Sequence, residues 1–221
     1  MATNSNGRKT SSPAWPWWLA AAVVTGISFY FDDAVTAFVR AHAGPSWREF
    51  GRLGSHFGQW NWLMVPCALA ALSLGALGEK DALRILCVMV IASALAGLAA
   101  DFVHGMTGRA RPDALVPQGW HGPFIAGRWA MFVTEYNAFP SAHTAAAVGL
   151  IAPLLLMRKR LGWALLPVPI AIAAARICVG AHHLSDVFAG AMLGFAVAMW
   201  VQRKIAPRLF RPPSSAFRPS V

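Results

Sequence analysis

The sequence predicts an all-α fold: a polytopic six-helix transmembrane bundle whose polar centre lies at the external ends of the helices. Three observations carry this. Of 221 residues, 57% are hydrophobic and only 13% charged, with a mean hydropathy of +0.49, whereas soluble domains carry about a quarter charged residues. The apolar residues fall into six stretches close to membrane-spanning length. The polar residues that interrupt those stretches gather in three places, and one topology puts all three on the same face. Length alone allows one or two soluble domains. Lipid, however, requires each span to satisfy its own backbone hydrogen bonds, which favours a single helical bundle over residues 14–204.

Residues 1–13 (MATNSNGRKTSSP) are polar and read as a disordered tail. The apolar stretches then run over 15–31, 62–78, 82–103, 142–157, 162–181 and 185–202. Several are nearer 17 residues than 20, the short end of what crosses about 30 Å of hydrocarbon. The first reads as a retained anchor and not a cleaved leader, because Asp32, Asp33 and Arg40 separate it from the small residues Ala41-His42-Ala43. Residues 32–61 carry mixed charge, several glycines and Trp47, Trp60 and Trp62, and read as a connection at the interface. Pro167 and Pro169 predict a kink in the fifth stretch, not a break. Residues 113–139 form a long external loop with Trp120, Phe124, Trp129, Phe132 and Tyr136. Such a loop suits interfacial anchoring, or a lid or lipid-access lip. No internal repeat or strand signal stands out. Residues 205–221 read as a basic cytoplasmic tail.

The chain has 19 Lys and Arg against 9 Asp and Glu, a net charge of +10. A nucleic-acid binder would concentrate that charge on one soluble face or arm. Here it falls in short clusters between apolar runs, so no nucleic-acid partner is expected. With the N-terminus inside, the twelve cytoplasmic charges are Arg8, Lys9, Lys80, Arg84, Arg158, Lys159, Arg160, Arg203, Lys204, Arg208, Arg211 and Arg218. The seven external ones are Arg40, Arg48, Arg52, Arg109, Arg111, Arg128 and Arg176. That bias places both termini in the cytoplasm and the chain in the cytoplasmic (inner) membrane. The three cysteines, Cys67, Cys87 and Cys178, lie apart within apolar runs and predict neither a disulfide nor a metal site. Nothing in the sequence sets an oligomeric state.

Three polar clusters end or open apolar helices. The first runs from His104 to Arg109, Arg111 and Pro112; the second is Phe139-Pro140-Ser141-Ala142-His143; the third is Arg176 with Gly180-Ala181-His182-His183-Leu184-Ser185-Asp186. All three fall on the external face of the six-helix topology. Ionisable groups at membrane depth are costly and usually face a bundle interior or an aqueous cavity. Arg111 and Arg176 offer planar donor forks that match phosphate oxygens. Ser141 and the free N–H groups opening the fourth helix add neutral donors at a positive dipole end. His143, His182 and Asp186 add chemistry: one imidazole to attack phosphorus, a second to protonate the leaving oxygen, and a carboxylate to orient a ring. Phosphoryl transfer needs mainly positioning and charge neutralisation, so arginines can stand where metals stand elsewhere. By spacing, either His182 or His183 can pair with Asp186.

This pattern resembles the type 2 phosphatidic acid phosphatase family, whose motifs are K-x6-RP, PSGH and SR-x5-H-x3-D. The matches are His104-x6-Arg111-Pro112, Pro140-Ser141-Ala142-His143 and Ala175-Arg176-x5-His182-x3-Asp186, over roughly residues 60–200. The resemblance implies that His182 is the nucleophile of a phosphohistidine intermediate, that Asp186 orients it, and that His143 is the general acid. It implies that His104, Arg111, Ser141 and Arg176 bind the substrate phosphate, that the substrate is a membrane lipid phosphate, and that neither metal nor cofactor is required. Three positions depart from the pattern: Ala142 for Gly, Ala175 for Ser and, most consequentially, His104 for Lys. Asp101, three residues before His104, is placed to keep its imidazole cationic. Arg109 is either a supporting phosphate contact or a headgroup-level charge, and His183 an interfacial or substrate-lip residue. His42, His56 and His121 read as ordinary loop histidines. Two other functions fit parts of the pattern: a lipid-phosphate carrier that keeps the cradle without chemistry, and a proton-relay transporter.

Overall fold

The computed structural model describes residues 15–210, so the expected tail over 1–13, and residues 211–221 of the one expected over 205–221, lie outside the described residues. The chain forms α1 (Trp15–His42), α2 (Pro45–Phe57), α3 (Trp60–Ala76) and α4 (Lys80–Thr107). A long connection follows, then α5 (Ala142–Met157), α6 (Lys159–Leu165), α7 (Pro167–Cys178) and α8 (Leu184–Trp200). A π-helical turn (Val201–Ile205) and α9 (Ala206–Leu209) carry the helix into what the sequence suggested was tail.

Each of the six apolar stretches holds a helix. Four segments are long and apolar enough to cross a membrane: Trp18–His42, Lys80–Thr107, Lys159–Cys178 and Leu184–Leu209. At 17 and 16 residues, α3 and α5 are shorter, roughly 26 and 24 Å against about 30 Å of hydrocarbon. The prolines bend without breaking: Leu166 stays right-handed helical between α6 and α7, because a proline in a helix's first turn removes only an N–H that has no partner there.

Two stretches of the chain differ from the sequence reading. Residues 32–61 are not a simple connection, since they hold the last turns of α1 and all of α2. α2 lies against α7, where a Cβ on Gly54 would stand 2.4 Å from that of Ala175. The long loop also contains strand, which no alternation in the sequence announced. β1 (Phe124–Ile125) and β2 (Arg128–Trp129) pair antiparallel around Ala126 and Gly127, both at positive φ, the turn that suits a two-residue hairpin.

At the centre α5 is enclosed by α4 and α8, and small residues permit it. Ala145, Ala146 and Ala147 of α5 are buried, with Ala92, Ala96 and Ala100 of α4 beside them. On α8, a Cβ on Gly190 would stand 2.5 Å from the Ser141 carbonyl oxygen. Without a hydrophobic drive between helices in lipid, such close contact is what holds them. Larger apolar side chains, among them Leu19, Ile27, Tyr30, Leu98 and Phe102, point outward. A soluble monomer does not expose that much apolar surface; the chain is an integral membrane protein.

Candidate active site

The polar clusters meet where α4 ends and α5 and α8 begin. Gly108, at φ +54°, closes α4 in the left-handed conformation, which glycine adopts without a Cβ penalty. The chain then runs extended through Arg109-Ala110-Arg111 and is stitched to the loop on both sides. Ala110 N–H donates to Gly119 O at 2.9 Å, Arg111 N–H to Glu135 O at 2.8 Å, and Ala138 N–H to Arg109 O at 3.1 Å. The loop thus fixes the arginine strand as well as covering it.

Ser141 caps α5. Its hydroxyl oxygen accepts from the Thr144 hydroxyl at 3.0 Å and from the Thr144 N–H at 3.4 Å, leaving its own proton to donate. Its N–H donates to Asp186 O at 2.9 Å, tying the starts of α5 and α8 together. His143, the second residue of α5, lines a cavity of about 430 Å³ with Asp101, Leu98, Gly97, Ala146 and Trp60.

His182 is buried in the turn before α8. Its Nδ1–H donates to the Ala138 carbonyl at 2.7 Å. A carbonyl only accepts, so the second ring nitrogen, Nε2, carries the lone pair. Burial, then the charges of Arg176 and Arg111, hold this imidazole well below the ordinary histidine range, with the Ala138 bond acting the other way. The ring is therefore held neutral, with its lone pair on Nε2.

Arg176 closes α7 and Arg111 follows α4, and each keeps a buried Nε–H with no partner. Burial lowers the Arg111 guanidinium from its ordinary value, opposed by Asp113, Glu135 and Asp186. The charges of both arginines act on His143 and on His182, so two cations and two imidazoles share one centre. Buried polar groups normally find partners; among the described residues nothing takes either of these donors.

Three of these residues stand in contacts that the sequence did not assign. Asp186 stands 3.9 Å from His182 Nδ1, and the Ala138 carbonyl orients that ring instead. The carboxylate accepts the His183 N–H at 2.7 Å and lies 3.1 Å from His183 Nδ1. As the third residue of α8 it reaches back to the helix cap, and that local bond outcompetes the ring four residues earlier. His104 is brought into the cluster, but its Nε2–H donates to Pro140 O at 2.5 Å and its Nδ1 lies 3.4 Å from Asp101. Both nitrogens are thus engaged within the protein. Arg109 is buried, and its guanidinium is taken up by protein partners. It is buried between Asp32 (2.7 Å), Asp186 (2.5 Å) and the Ser185 hydroxyl (2.7 Å), with Phe29 and Trp120 on its faces. Asp32 was missed: the sequence reading used it only as the boundary of the first apolar run. A carboxylate directly following that run was the signal available.

The family model described as the PAP2 superfamily matches residues 82–209. The chain belongs to the PAP2 superfamily. A lipid A 1-phosphatase of Rhizobium etli is 31% identical over 178 residues, 74% of this chain and 72% of that protein. The bacitracin transport permease protein BcrC of Bacillus licheniformis is 38% identical over 65 residues, so the match spans 29% of this chain and about a third of that one (32%). Among solved structures, Aquifex aeolicus LpxE superposes with a TM-score of 0.56 at 18% identity, over 78% of this chain and 95% of that one. The transmembrane PAP2-type phosphatidylglycerolphosphate phosphatase of Bacillus subtilis gives 0.57 at 17%, over 87% and 97%. These two likenesses establish the PAP2 membrane fold.

Proposed function

We propose that this PAP2 phosphatase hydrolyses a phosphomonoester or pyrophosphate of a membrane lipid, through a phosphohistidine on His182 and without a metal. The observation that carries the reading is the pair of unpaired buried donors on Arg111 and Arg176, acting on a neutral imidazole whose Nε2 lone pair is free. In the first step Nε2 attacks phosphorus and the bond to the leaving oxygen breaks, His143 supplying the proton that oxygen needs. In the second, His143 takes a proton from water, the water oxygen bonds phosphorus, and the P–N bond breaks to release phosphate. Arg111, Arg176, the Ser141 hydroxyl and the first N–H groups of α5 hold the phosphoryl oxygens, a preorganised set of donors that stabilises the transferring group. His104 joins this set from the end of α4, where its ring holds the Pro140 carbonyl that precedes Ser141.

The six-crossing topology, with α3 and α5 as short spans and both termini in the cytoplasm, follows the distribution of Lys and Arg. It opens the site to the external side of the cytoplasmic membrane. The cavity at His143 is lined mainly by apolar side chains, which suits a lipid leaving group.

The test is phosphate release by purified protein in detergent with EDTA present. The panel is lipid A, phosphatidate, phosphatidylglycerophosphate and undecaprenyl pyrophosphate. Lipid A stands first because a relative covering most of both chains is named a lipid A 1-phosphatase. Release that orthovanadate inhibits and His182→Ala abolishes is the expected result. Lipid binding with no release would identify a carrier and overturn the assignment.

A further inference from the structure

Helix α1 lies outside the residues matched by the family model, and most of it faces outward, yet one of its side chains reaches the site. Asp32 is 4% exposed. Its Oδ1 accepts the Ser185 N–H at 2.8 Å, and its Oδ2 accepts the Ser185 hydroxyl at 2.5 Å and an Arg109 N–H at 2.7 Å. The other arm of Arg109 donates to Asp186 at 2.5 Å and to the Ser185 oxygen at 2.7 Å. A single guanidinium is thus shared by two carboxylates from elements 154 positions apart (186 − 32).

We propose that Asp32 is a positioning residue for hydrolysis. With Arg109 and Ser185 it fixes the first turn of α8, and so the His182-His183 turn that presents the nucleophile. This rests on the phosphatase reading above.

The simpler reading is that Asp32 only fastens α1 to the bundle. Two features oppose it. Attachment is already supplied elsewhere: Trp18 packs on Phe195 with ring centroids 6.1 Å apart, and the Thr25 hydroxyl meets the Met192 sulfur at 2.9 Å. A buried ion pair is also a poor fastener, since well-packed apolar residues hold helices at least as well. What the charges add is direction. Asp32 balances Arg109, so Asp186 is not fully claimed by the guanidinium and keeps its hold on the His183 N–H. Asp32 also grips Ser185 through both N–H and hydroxyl, three residues after His182.

The experiment compares wild type with Asp32→Asn on phosphatidate in detergent micelles, reading kcat, KM and thermal unfolding. Asparagine keeps an oxygen for the Ser185 N–H and removes the charge. The expected result is a fall in kcat of about tenfold or more with KM within about twofold, because the phosphate-holding arginines do not touch Asp32. Folding stays cooperative in that outcome. Unchanged kcat, or a KM that rises as much as kcat falls, overturns the proposal. Should Asp32→Asn fail to fold, Ser185→Ala asks the same question: it cuts the hydroxyl bridge and leaves every charge. A fall in kcat of about threefold at constant KM supports the role, and wild-type kcat overturns it. A wild-type protein that releases phosphate from none of the panel lipids would instead mean that the phosphatase reading is wrong.

Discussion

Arg109 and Arg111 are two residues apart on one extended strand, and their surroundings are opposite. Arg109 has a carboxylate on each arm, a hydroxyl between them and an aromatic ring on each face. Arg111 keeps a buried Nε–H that meets nothing, as does Arg176 across the site. Burying a cation costs several kcal/mol unless it is paired. A fully partnered arginine is therefore part of the scaffold, whereas Arg111 and Arg176 each keep a buried donor that no described residue takes, as the proposed phosphate contacts require.

The largest effects should come from breaking this contrast. Arg176→Met is expected to lower kcat/KM by about a thousandfold or more, on the order of 4 kcal/mol of transition-state stabilisation, while leaving thermal stability equal or slightly higher. Arg109→Met should do the reverse in stability, costing about 3–5 kcal/mol because Asp32 and Asp186 are left buried and uncompensated. Unfolding curves in detergent beside phosphate-release kinetics decide it. Equal loss of stability in both variants would erase the distinction between the two arginines.

The same contrast marks what could be read in the sequence. α5 was expected at 142–157 and is found there, because Pro140 and Ser141 are start signals and Arg158 follows the apolar run. Arg111, Ser141, His143, Arg176 and His182 are brought to one centre, as the three motifs at helix ends required. Asp32 was hidden for a physical reason. Its partners lie 77 and 153 positions away in the chain, and a carboxylate at the end of an apolar run is more often a span boundary. Asp186 was open by spacing to either His182 or His183, and the family pattern selected His182; a carboxylate in the first turn of a helix has a nearer bond in the cap's N–H, here that of His183. The hairpin in the long loop was illegible because two-residue strands leave no alternation to detect.

A smaller effect sharpens the electrostatics. Burial and the two unpartnered arginines keep the His182 imidazole below its ordinary value of 6.5. With the neutral ring as the proposed nucleophile, the acid-side loss of kcat/KM in the free enzyme should fall below pH 6.5. In Arg176→Met one of the charges excluding the proton is gone, and the residual activity's acid limb should move up in pH. Stability carries the matching sign. The unfolded chain binds this proton below about 6.5 and the native site resists it, so the fold should weaken as pH drops through that value and be indifferent to His182 above it. An acid limb in wild type at or above 6.5 would mean that the ring is not held neutral by its surroundings.

The smallest expected effect concerns His104, where the family pattern has lysine. Its two ring nitrogens face two acceptors, the Pro140 carbonyl at 2.5 Å and the Asp101 carboxylate at 3.4 Å. Only the doubly protonated, cationic ring supplies a donor to both. Asp101 is 53% exposed, and water screens such a pair to below about 1 kcal/mol. Asp101→Asn should therefore lower kcat/KM by only about two- to fourfold. His104→Lys places a fixed charge at this position, and its pH–rate profile should differ from that of wild type. Identical pH–rate profiles for wild type, Asp101→Asn and His104→Lys would show that the charge at this position contributes nothing. His104 would then serve only to hold Pro140 and the start of α5.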